Sequence, residues 1–225
     1  MCGRFVLQAD YEGLATVFPG FAFPDEIPDR FNIAPTQTVM AAKNDGDKSF
    51  RLLRWGLIPS WSKDHKVGSR LINARSETAS QKPSFRTAYK KRRCLLPVSG
   101  YYEWVSNPGG KTKQPVFISM RSGIPFALAG LWEVWHAPEG DEVHTCTILT
   151  TDANAYVKPF HHRMPVILGS ESYAEWLDPG EKRAGEIDHL LKPWETDSLA
   201  VFPVSTLVNS PANDLPACID PLEEN

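Results

Sequence analysis

Cysteine at position 2, in the opening Met1-Cys2-Gly3-Arg4-Phe5, is the residue whose type and place favour chemistry most directly. Removal of Met1 would leave one residue with both a thiol and a free α-amine, groups whose ordinary pKa values are roughly 8.5 and 7.7 to 8.0. An amine condenses with an aldehyde to a Schiff base, and the neighbouring thiol closes that imine into a thiazolidine ring. The terminus therefore indicates chemistry on an aldehyde, and the alternative is that Cys2 only packs as a small buried hydrophobe.

A second segment, residues 71–77, places an amide and a guanidinium close together. Asn73 and Arg75 are two positions apart, so they share a face if the segment is extended. Such a face fits contacts to a peptide backbone and to a phosphate. The alternative is that Asn73 caps a turn and Arg75 pairs with Glu77 on the surface.

Two further segments carry acid–base groups. Glu103 stands among bulky aromatic residues, which tend to raise the pKa of a carboxyl and suit a general acid or base; the alternative is a solvent-facing Glu on an edge strand. His161 and His162 lie between a helical pattern and an apolar strand, and adjacent residues of an extended segment point in opposite directions. We therefore expect at most one of the two histidines to be catalytic.

Composition excludes several classes of protein. The 225 residues, 42% of them hydrophobic, fit one globular domain or two fused lobes. The four cysteines are far apart and form no CxxC pair, which favours neither a disulfide framework nor a zinc site and suggests a reducing compartment. No export signal or membrane span is expected, and a net charge of -3 argues against a generic, charge-driven nucleic-acid binder but leaves room for a local basic groove.

The elements that must position these groups are mostly strands. A first helix is expected over residues 10–18, with Asp10 as its cap, and short helices over residues 84–91, 152–158, 170–177 and 183–191. Branched and aromatic residues predict strands, some joined by hairpins at residues 107–110 and 137–141, over residues 38–42, 50–57, 94–98, 101–105, 116–120, 126–135, 143–150 and 199–207. This pattern predicts an α+β fold with a mainly antiparallel, barrel-like sheet and flanking short helices.

Six motifs follow one another in an order that is typical of one family: residues 1–5, 32–36, 55–61, 73–77, 100–104 and 161–165. The chain resembles the SOS response-associated peptidase family, whose members recognise abasic sites in single-stranded DNA. The resemblance extends from Met1 to about Val208. It implies a single compact domain over residues 1–208, and the Pro-rich, acidic residues 209–225 are expected to be poorly ordered.

The resemblance also implies roles for four catalytic residues. Cys2, as the N-terminal residue after loss of Met1, supplies the amine and the thiol that bind the abasic aldehyde. Asn73 orients the Cys2 backbone, Glu103 moves protons during Schiff-base formation, and His161 donates a proton to the deoxyribose ring oxygen as the sugar opens. His161 is chosen over His162 because the family pattern is His, any residue, Arg, and Arg163 fixes that register.

A DNA-binding set is implied as well. Guanidinium groups and hydroxyls would contact phosphates, and an apolar wedge would stack on bases. The set consists of Arg4, Arg75, Arg163, Thr36, Thr150, Pro35 and Trp61. The alternative for Trp61 is a place in the core, and the basic cluster at residues 86–93 is left out because a solvated helix face explains it equally well.

The favoured function is an abasic-site sensor that crosslinks to single-stranded DNA through Cys2, with strand-cleaving lyase activity and removal of Met1 as further activities of the same groups. The alternatives are a cysteine peptidase or N-terminal-nucleophile hydrolase acting on proteins, and a non-catalytic single-strand binding module. We expect no cofactor, no metal and no membrane partner, a monomer, and a location in the cytoplasm, at the nucleoid, or in the nucleus of a eukaryote.

Overall fold

A computed structural model describes residues 2–107, 109–110, 112–194 and 197–222 of the chain. The α-helices of this part are α1 Tyr11–Val17, α2 Ser76–Ala79, α3 Arg86–Lys91 and α4 Tyr173–Trp176. The strands are β1 Phe5–Leu7, β2 Arg30–Ile33, β3 Thr38–Lys43, β4 Phe50–Trp55, β5 Asn73–Arg75, β6 Arg93–Val98, β7 Gly100–Ser106, β8 Lys113–Met120, β9 Phe126–His136, β10 Glu142–Asp152, β11 Arg163–Pro165, β12 Ile167–Leu168 and β13 Leu199–Pro203. Strands thus outnumber helices, as the sequence predicts.

Five strands close into a barrel in the order β10-β4-β3-β6-β9, because β9 also pairs with β10. The pairs are antiparallel except for β10 with β4. Strands β5 and β11 pair with β10, and β12 pairs with β9. The α+β, barrel-like fold expected from the sequence is confirmed.

A second sheet has the order β13-β8-β7-β1-β2 and is antiparallel throughout. Its strand β7 separates two apolar clusters, because successive side chains of a strand point to opposite faces. Tyr101 belongs to the main core with Cys2 and Phe5, whereas Tyr102 belongs to a smaller cluster with Val208 and Cys218. Strand β7 therefore brings side chains from the motif at residues 100–104 to both faces of the sheet.

Helix α1 begins as predicted. The Asp10 carboxylate accepts a hydrogen bond from the Gly13 N–H at 2.8 Å, which satisfies one of the donors left unpaired at a helix start. Leu14 and Phe18 are fully buried against the core. The predicted helices at residues 84–91 and 170–177 also form, the second as a 3₁₀ turn followed by α4.

Two other predicted helices are wrong. Strand β10 runs through Asp152, and Asn154 then accepts the Val157 N–H at 2.8 Å, so the next residues form turns instead of a helix. In the segment 183–191, the structure has only the 3₁₀ helix Asp188–Leu190. Local hydrogen bonding by an asparagine side chain competes with helix formation in the first of these segments.

The C-terminal segment differs from the expected poor order. Asp214 accepts the backbone N–H groups of Phe31 and Asn32 at 2.6 and 2.9 Å, and Cys218 is fully buried. The 3₁₀ helices Thr206–Asn209 and Pro216–Cys218 lie in this region. Residues 209–222 are therefore bound to β2, and the remainder of the predicted tail lies outside the described residues.

Candidate active site

Cys2 lies just before β1 and is fully buried. Its Sγ is 3.9 Å from the backbone oxygen of Arg4, and the same oxygen accepts the Tyr102 N–H at 3.0 Å. The thiol is thereby held beside β7. Burial, and then the negative charge of Glu103, raise the pKa of the Cys2 thiol well above its ordinary value, so the sulfur carries its proton at neutral pH.

Asn73 opens β5, which pairs with β10 in the register Ile148 to Asn73. Its Nδ2 donates to the backbone oxygen of Cys2 at 2.7 Å. Its Oδ1 is buried and has no hydrogen-bond partner among the described residues. Because a buried amide oxygen is costly to leave unpaired, this atom is suited to accept a hydrogen bond from a bound group.

Glu103 is 3% exposed, so it is not the solvent-facing residue of the alternative interpretation. Burial raises its pKa to about 7, although nearby positive charges, including His162 and Lys113, oppose the rise. A carboxyl with this pKa is partly protonated and partly ionised at neutral pH. It can therefore both accept and return a proton under the same conditions.

His161 adjoins Glu103, with 3.9 Å between Nδ1 and the nearer carboxylate oxygen. Nδ1 of His161 lies 3.0 Å from both the backbone nitrogen and the backbone oxygen of Arg163, so it accepts from the first in one tautomer and donates to the second in the other. Burial lowers the pKa of His161, and the charges of Lys113 and Arg163 act in the same direction, whereas the backbone hydrogen bond with Arg163 opposes the fall. The neutral imidazole is therefore the favoured form at pH 7. His162 stacks on it, with ring centroids 4.4 Å apart.

Cys2, Asn73, Glu103 and His161, called the inner set below, come from four separate segments of the chain. Direct contacts join Asn73 to Cys2 and His161 to Glu103, and the charge of Glu103 acts on the Cys2 thiol. The sequence motifs that carry the predicted catalytic residues therefore converge on one place, where Cys2 and Glu103 are buried and Asn73 and His161 are half-buried.

Arg163 and Thr150, predicted to contact DNA, face the protein. The Arg163 guanidinium donates to Glu77 at 2.6 and 2.9 Å, to Asp152 at 2.7 Å and to the Thr150 backbone oxygen at 2.6 Å. Thr150 is fully buried, and its hydroxyl lies 3.5 Å from the Ala74 oxygen. These contacts replace the surface pair of Arg75 with Glu77 that the sequence also allowed.

Arg4 is tied to its own chain as well. Its guanidinium donates to Asn32 Oδ1 at 2.8 Å and to the backbone oxygens of Val208 and Asn209 at 2.7 and 3.3 Å. Asn32 is fully buried and donates to three backbone oxygens of residues 208–213. Arg4 and Asn32 together hold the C-terminal segment against β1 and β2.

The other predicted DNA contacts, Pro35, Thr36, Trp61 and Arg75, form the outer set. Trp61 is 64% exposed and is not a core residue. Thr36 and Arg75 are exposed and Pro35 is half-buried. Thr36 has a φ of 72°, a left-handed conformation that non-glycine residues rarely adopt and that tends to occur at functional sites.

Two hydrogen bonds through Trp55 connect the outer set to the inner set. The Thr36 N–H donates to the Trp55 oxygen at 2.8 Å, and the Trp55 indole N–H donates to the Ile72 oxygen at 2.9 Å. Ile72 directly precedes Asn73, and Arg75 ends the same strand. The loop at Thr36 and the strand of Asn73 are therefore fixed relative to each other.

The basic cluster at residues 86–93 is not a continuous cationic surface. Lys90 and Lys91 pair with Glu181, and Arg92 pairs with Glu133. Arg93 is fully buried and donates to backbone oxygens of residues 89, 90, 176, 178 and 180. The structure thus gives most of these charges local partners.

Sequence reasoning missed two features of the site. Glu77 and Asp152 neutralise Arg163, which no spacing in the sequence reveals. Tyr101 is fully buried on the same face of β7 as Glu103, and the i, i+2 spacing of the two residues is the signal that could have identified it.

Within the described residues, no group of three or more His, Cys, Asp or Glu is placed to hold a metal ion, and no helix has the length and apolarity to cross a membrane.

A closed barrel with a buried cysteine, a buried carboxyl and a half-buried imidazole beside the N-terminal strand defines a protein with a thiol and acid–base site. The family model for "SOS response associated peptidase (SRAP)" matches residues 1–211. The chain belongs to this family.

Relatives and solved structures agree with this assignment. The chain is 43% identical to the abasic site processing protein YoqW of Bacillus subtilis, over 98% of this chain and 99% of YoqW. It is 38% identical to the abasic site processing protein HMCES of Gallus gallus, over 80% of this chain and 61% of HMCES. A crystal structure of a protein from Bacteroides thetaiotaomicron superposes with a TM-score of 0.85 at 28% identity, over 99% of this chain and all of that one.

Proposed function

We propose that this protein binds abasic sites in single-stranded DNA and links to them covalently through Cys2 after Met1 is removed. The observation that carries the proposal is the placement of Cys2: Asn73 holds its backbone oxygen at 2.7 Å, and the Glu103 charge acts on its thiol. The names of the relatives, abasic site processing proteins, support DNA with abasic sites as the target.

The first chemical step forms a Schiff base between the Cys2 amine and the sugar aldehyde. The abasic sugar must first open: its C1 hydroxyl gives a proton to the Glu103 carboxylate, and the bond from C1 to the ring oxygen breaks. His161, whose Nδ1 lies 3.9 Å from that carboxylate, can take the proton and deliver one to the ring oxygen, which becomes a hydroxyl. Glu103, with a pKa of about 7, then takes a proton from the attacking amine and returns it as water leaves. The partnerless Asn73 Oδ1 can accept from the amine or from a sugar hydroxyl.

The second step closes the ring. The Cys2 sulfur adds to the imine carbon, a C–S bond forms, and the C=N double bond becomes a single bond. The proton that leaves sulfur ends on nitrogen, so no co-reactant is needed. Because the buried thiol holds its proton at neutral pH, a base must move it, and Glu103 is the nearby group with a suitable pKa. The Schiff base also acidifies the adjacent carbon, which would allow strand cleavage by β-elimination.

The same groups would serve removal of Met1. The Cys2 thiol would attack the Met1 carbonyl carbon, its proton would pass to the departing Cys2 nitrogen, and water would then hydrolyse the thioester to release methionine and restore the thiol. Glu103 and His161 can move the protons that these steps require. Autoprocessing would leave the amine free at the place where the aldehyde must bind.

DNA is proposed to approach over the outer set. Trp61 presents an exposed indole for base stacking, and Arg75 presents an exposed guanidinium at the end of the strand that begins with Asn73. Arg4, Arg163 and Thr150 would instead keep the structure around the site in place, because their polar groups are already bonded within the protein. We propose that the active species is a monomer.

The test is a crosslinking assay with a single-stranded oligonucleotide that carries one abasic site. Intact mass first confirms that Met1 is absent. Wild-type protein should give an adduct that survives denaturation without added reductant, Cys2→Ala should give none, and Cys2→Ser should give an adduct only when borohydride traps the Schiff base. Autoprocessing predicts that Met1 stays on Cys2→Ala and Glu103→Gln.

Two outcomes would overturn the proposal. If wild-type protein without Met1 gives no adduct, covalent capture of abasic DNA is wrong for this chain. Turnover of peptides by the same preparation would then favour a cysteine peptidase. If Cys2→Ala crosslinks as well as wild type, the reacting amine lies elsewhere.

A further inference from the structure

The Tyr101 hydroxyl is a buried polar group that the proposed reaction has not used. Tyr101 is fully buried in the main core, and its hydroxyl oxygen has no hydrogen-bond partner among the described residues. A buried hydroxyl without a partner destabilises a protein, and Phe would fill the same space without that penalty. Packing alone therefore does not account for a tyrosine at this position.

The neighbouring Tyr102 shows the contrast. Its hydroxyl donates to the Phe31 oxygen at 2.7 Å and lies 3.3 Å from the Cys218 oxygen. Tyr102 points to the opposite face of β7, into the smaller apolar cluster. Its hydroxyl has a structural role, and that of Tyr101 has none visible in the part of the chain that the structure describes.

The position of Tyr101 relates it to the Cys2 thiol. Tyr101 is opposite Phe5 in the pairing of β7 with β1, and it shares a face of β7 with Glu103. The Arg4 backbone oxygen contacts both Cys2 Sγ and the N–H of the residue after Tyr101. Burial raises the pKa of Tyr101 well above its ordinary value, and negative charge on Cys2 or Glu103, when present, acts in the same direction. The phenol therefore stays a neutral O–H donor.

Ring closure creates the acceptor that this donor lacks. As the thiol adds to the imine, sulfur gives up its proton to Glu103 and carries negative charge until the C–S bond is complete. A fixed, neutral O–H donor in a buried site stabilises such a charge, and hydrogen bonds to charged acceptors are the stronger kind.

We propose that Tyr101 is a further catalytic residue. Its hydroxyl donates a hydrogen bond to Cys2 Sγ during ring closure, which speeds ring closure and leaves the rate of Schiff-base formation unchanged. This inference rests on the proposed covalent capture of abasic DNA. It assigns the hydroxyl to the sulfur step alone, because amine attack precedes any charge on sulfur.

The test compares Tyr101→Phe with Tyr102→Phe as a matched control. Protein without Met1 is mixed with the abasic oligonucleotide in single-turnover experiments, and samples are denatured either directly, which reports closed rings, or after borohydride, which reports Schiff base and closed rings together. Tyr101→Phe should slow the reductant-independent adduct about tenfold or more while borohydride-trapped product forms at the wild-type rate. Its melting temperature should equal or exceed that of wild type.

The control separates catalysis from folding. Tyr102→Phe should keep the wild-type ratio of the two products and lose melting temperature, because two backbone oxygens lose their contact with its hydroxyl. The inference is overturned if Tyr101→Phe closes the ring at the wild-type rate, or if it slows both products equally. Failure of wild type to form any adduct would overturn the proposed function instead, so the two failures are distinguishable.

Discussion

The inner and outer sets of the site differ in how the protein holds them. In the inner set, Cys2 and Glu103 are buried and Asn73 and His161 are half-buried. Its members act on one another through a 2.7 Å hydrogen bond and a 3.9 Å contact, and the pKa values of three of them are raised or lowered. In the outer set, Trp61 and Arg75 are exposed and Thr36 has an unusual backbone conformation. Burial therefore sets the pKa values of the reacting groups before the proposed DNA substrate binds, whereas the proposed binding surface stays exposed to solvent. Substitutions in the two sets should accordingly separate rate from affinity.

The largest effect is expected from Glu103→Gln, which removes the proton acceptor of the inner set but keeps its size. Once an added methionine aminopeptidase has removed Met1 from wild type and variant alike, the adduct should form about 100-fold more slowly at pH 7, a typical loss for a general acid–base group. In wild type the rate should rise with pH through about 7, because only the ionised carboxyl accepts a proton. Single-turnover rates between pH 5.5 and 8.5 check both points. A wild-type pH profile retained by the variant would contradict the role of Glu103.

The same variant should stabilise the fold at high pH. With a pKa of about 7, the folded protein binds a proton more tightly than the unfolded chain, whose Glu titrates near 4.3. The stability from that proton is complete below about pH 4.3 and is lost as pH rises through 7, a difference of roughly 4 kcal/mol. Denaturant unfolding should show an advantage of Glu103→Gln that grows from pH 5 to 8. A constant difference across this range would mean that the carboxyl does not titrate as described.

A smaller effect is expected in the outer set from Trp61→Ala. Loss of one stacking surface should weaken binding to single-stranded DNA by about 1 to 3 kcal/mol. Affinity is best measured in a Cys2→Ala background, where no crosslink forms, and the crosslinking rate at saturating DNA should stay that of wild type. Leu52→Ala, which removes another apolar side chain that is 62% exposed, is the control and should leave affinity unchanged. A Trp61 variant that binds normally would remove it from the DNA surface.

The smallest effect is expected from Arg75→Ala, which removes one exposed charge. Affinity should fall by about 1 kcal/mol, and the slope of log affinity against log salt should decrease by about 0.7, the value for one phosphate contact on a single strand. Arg163→Ala is the contrasting variant, because its guanidinium is bound by Glu77, Asp152 and the Thr150 oxygen. It should lower the melting temperature and leave the salt slope unchanged. A reversed pattern would exchange the assignments of the two arginines.

These contrasts also show what the sequence could predict. The barrel followed from runs of branched and aromatic residues, because strand formation depends on nearby sequence. The aromatic neighbours of Glu103 left its burial and a solvent-facing position both open, and the structure decides for burial. The partners of Arg163 did not follow, since Glu77 and Asp152 come from distant positions that only the fold brings together.

The C-terminal segment was misjudged for the same reason. Its prolines and acids suggested poor order. In the structure, the Asp214 carboxylate accepts two backbone N–H groups of β2, and Arg4 and Asn32 donate to backbone oxygens of residues 208–213. Composition describes what a segment can do alone. It does not reveal donors and acceptors that another strand leaves open.

The central claim, that the amine and the thiol of Cys2 both bond to the sugar, is tested most directly by peptide mass spectrometry of the adduct. After nuclease and tryptic digestion, the account predicts the sugar remnant on the peptide Cys2-Gly3-Arg4, with a thiol that no longer reacts with an alkylating reagent. A remnant on a lysine, or a Cys2 thiol that still alkylates fully, would contradict it.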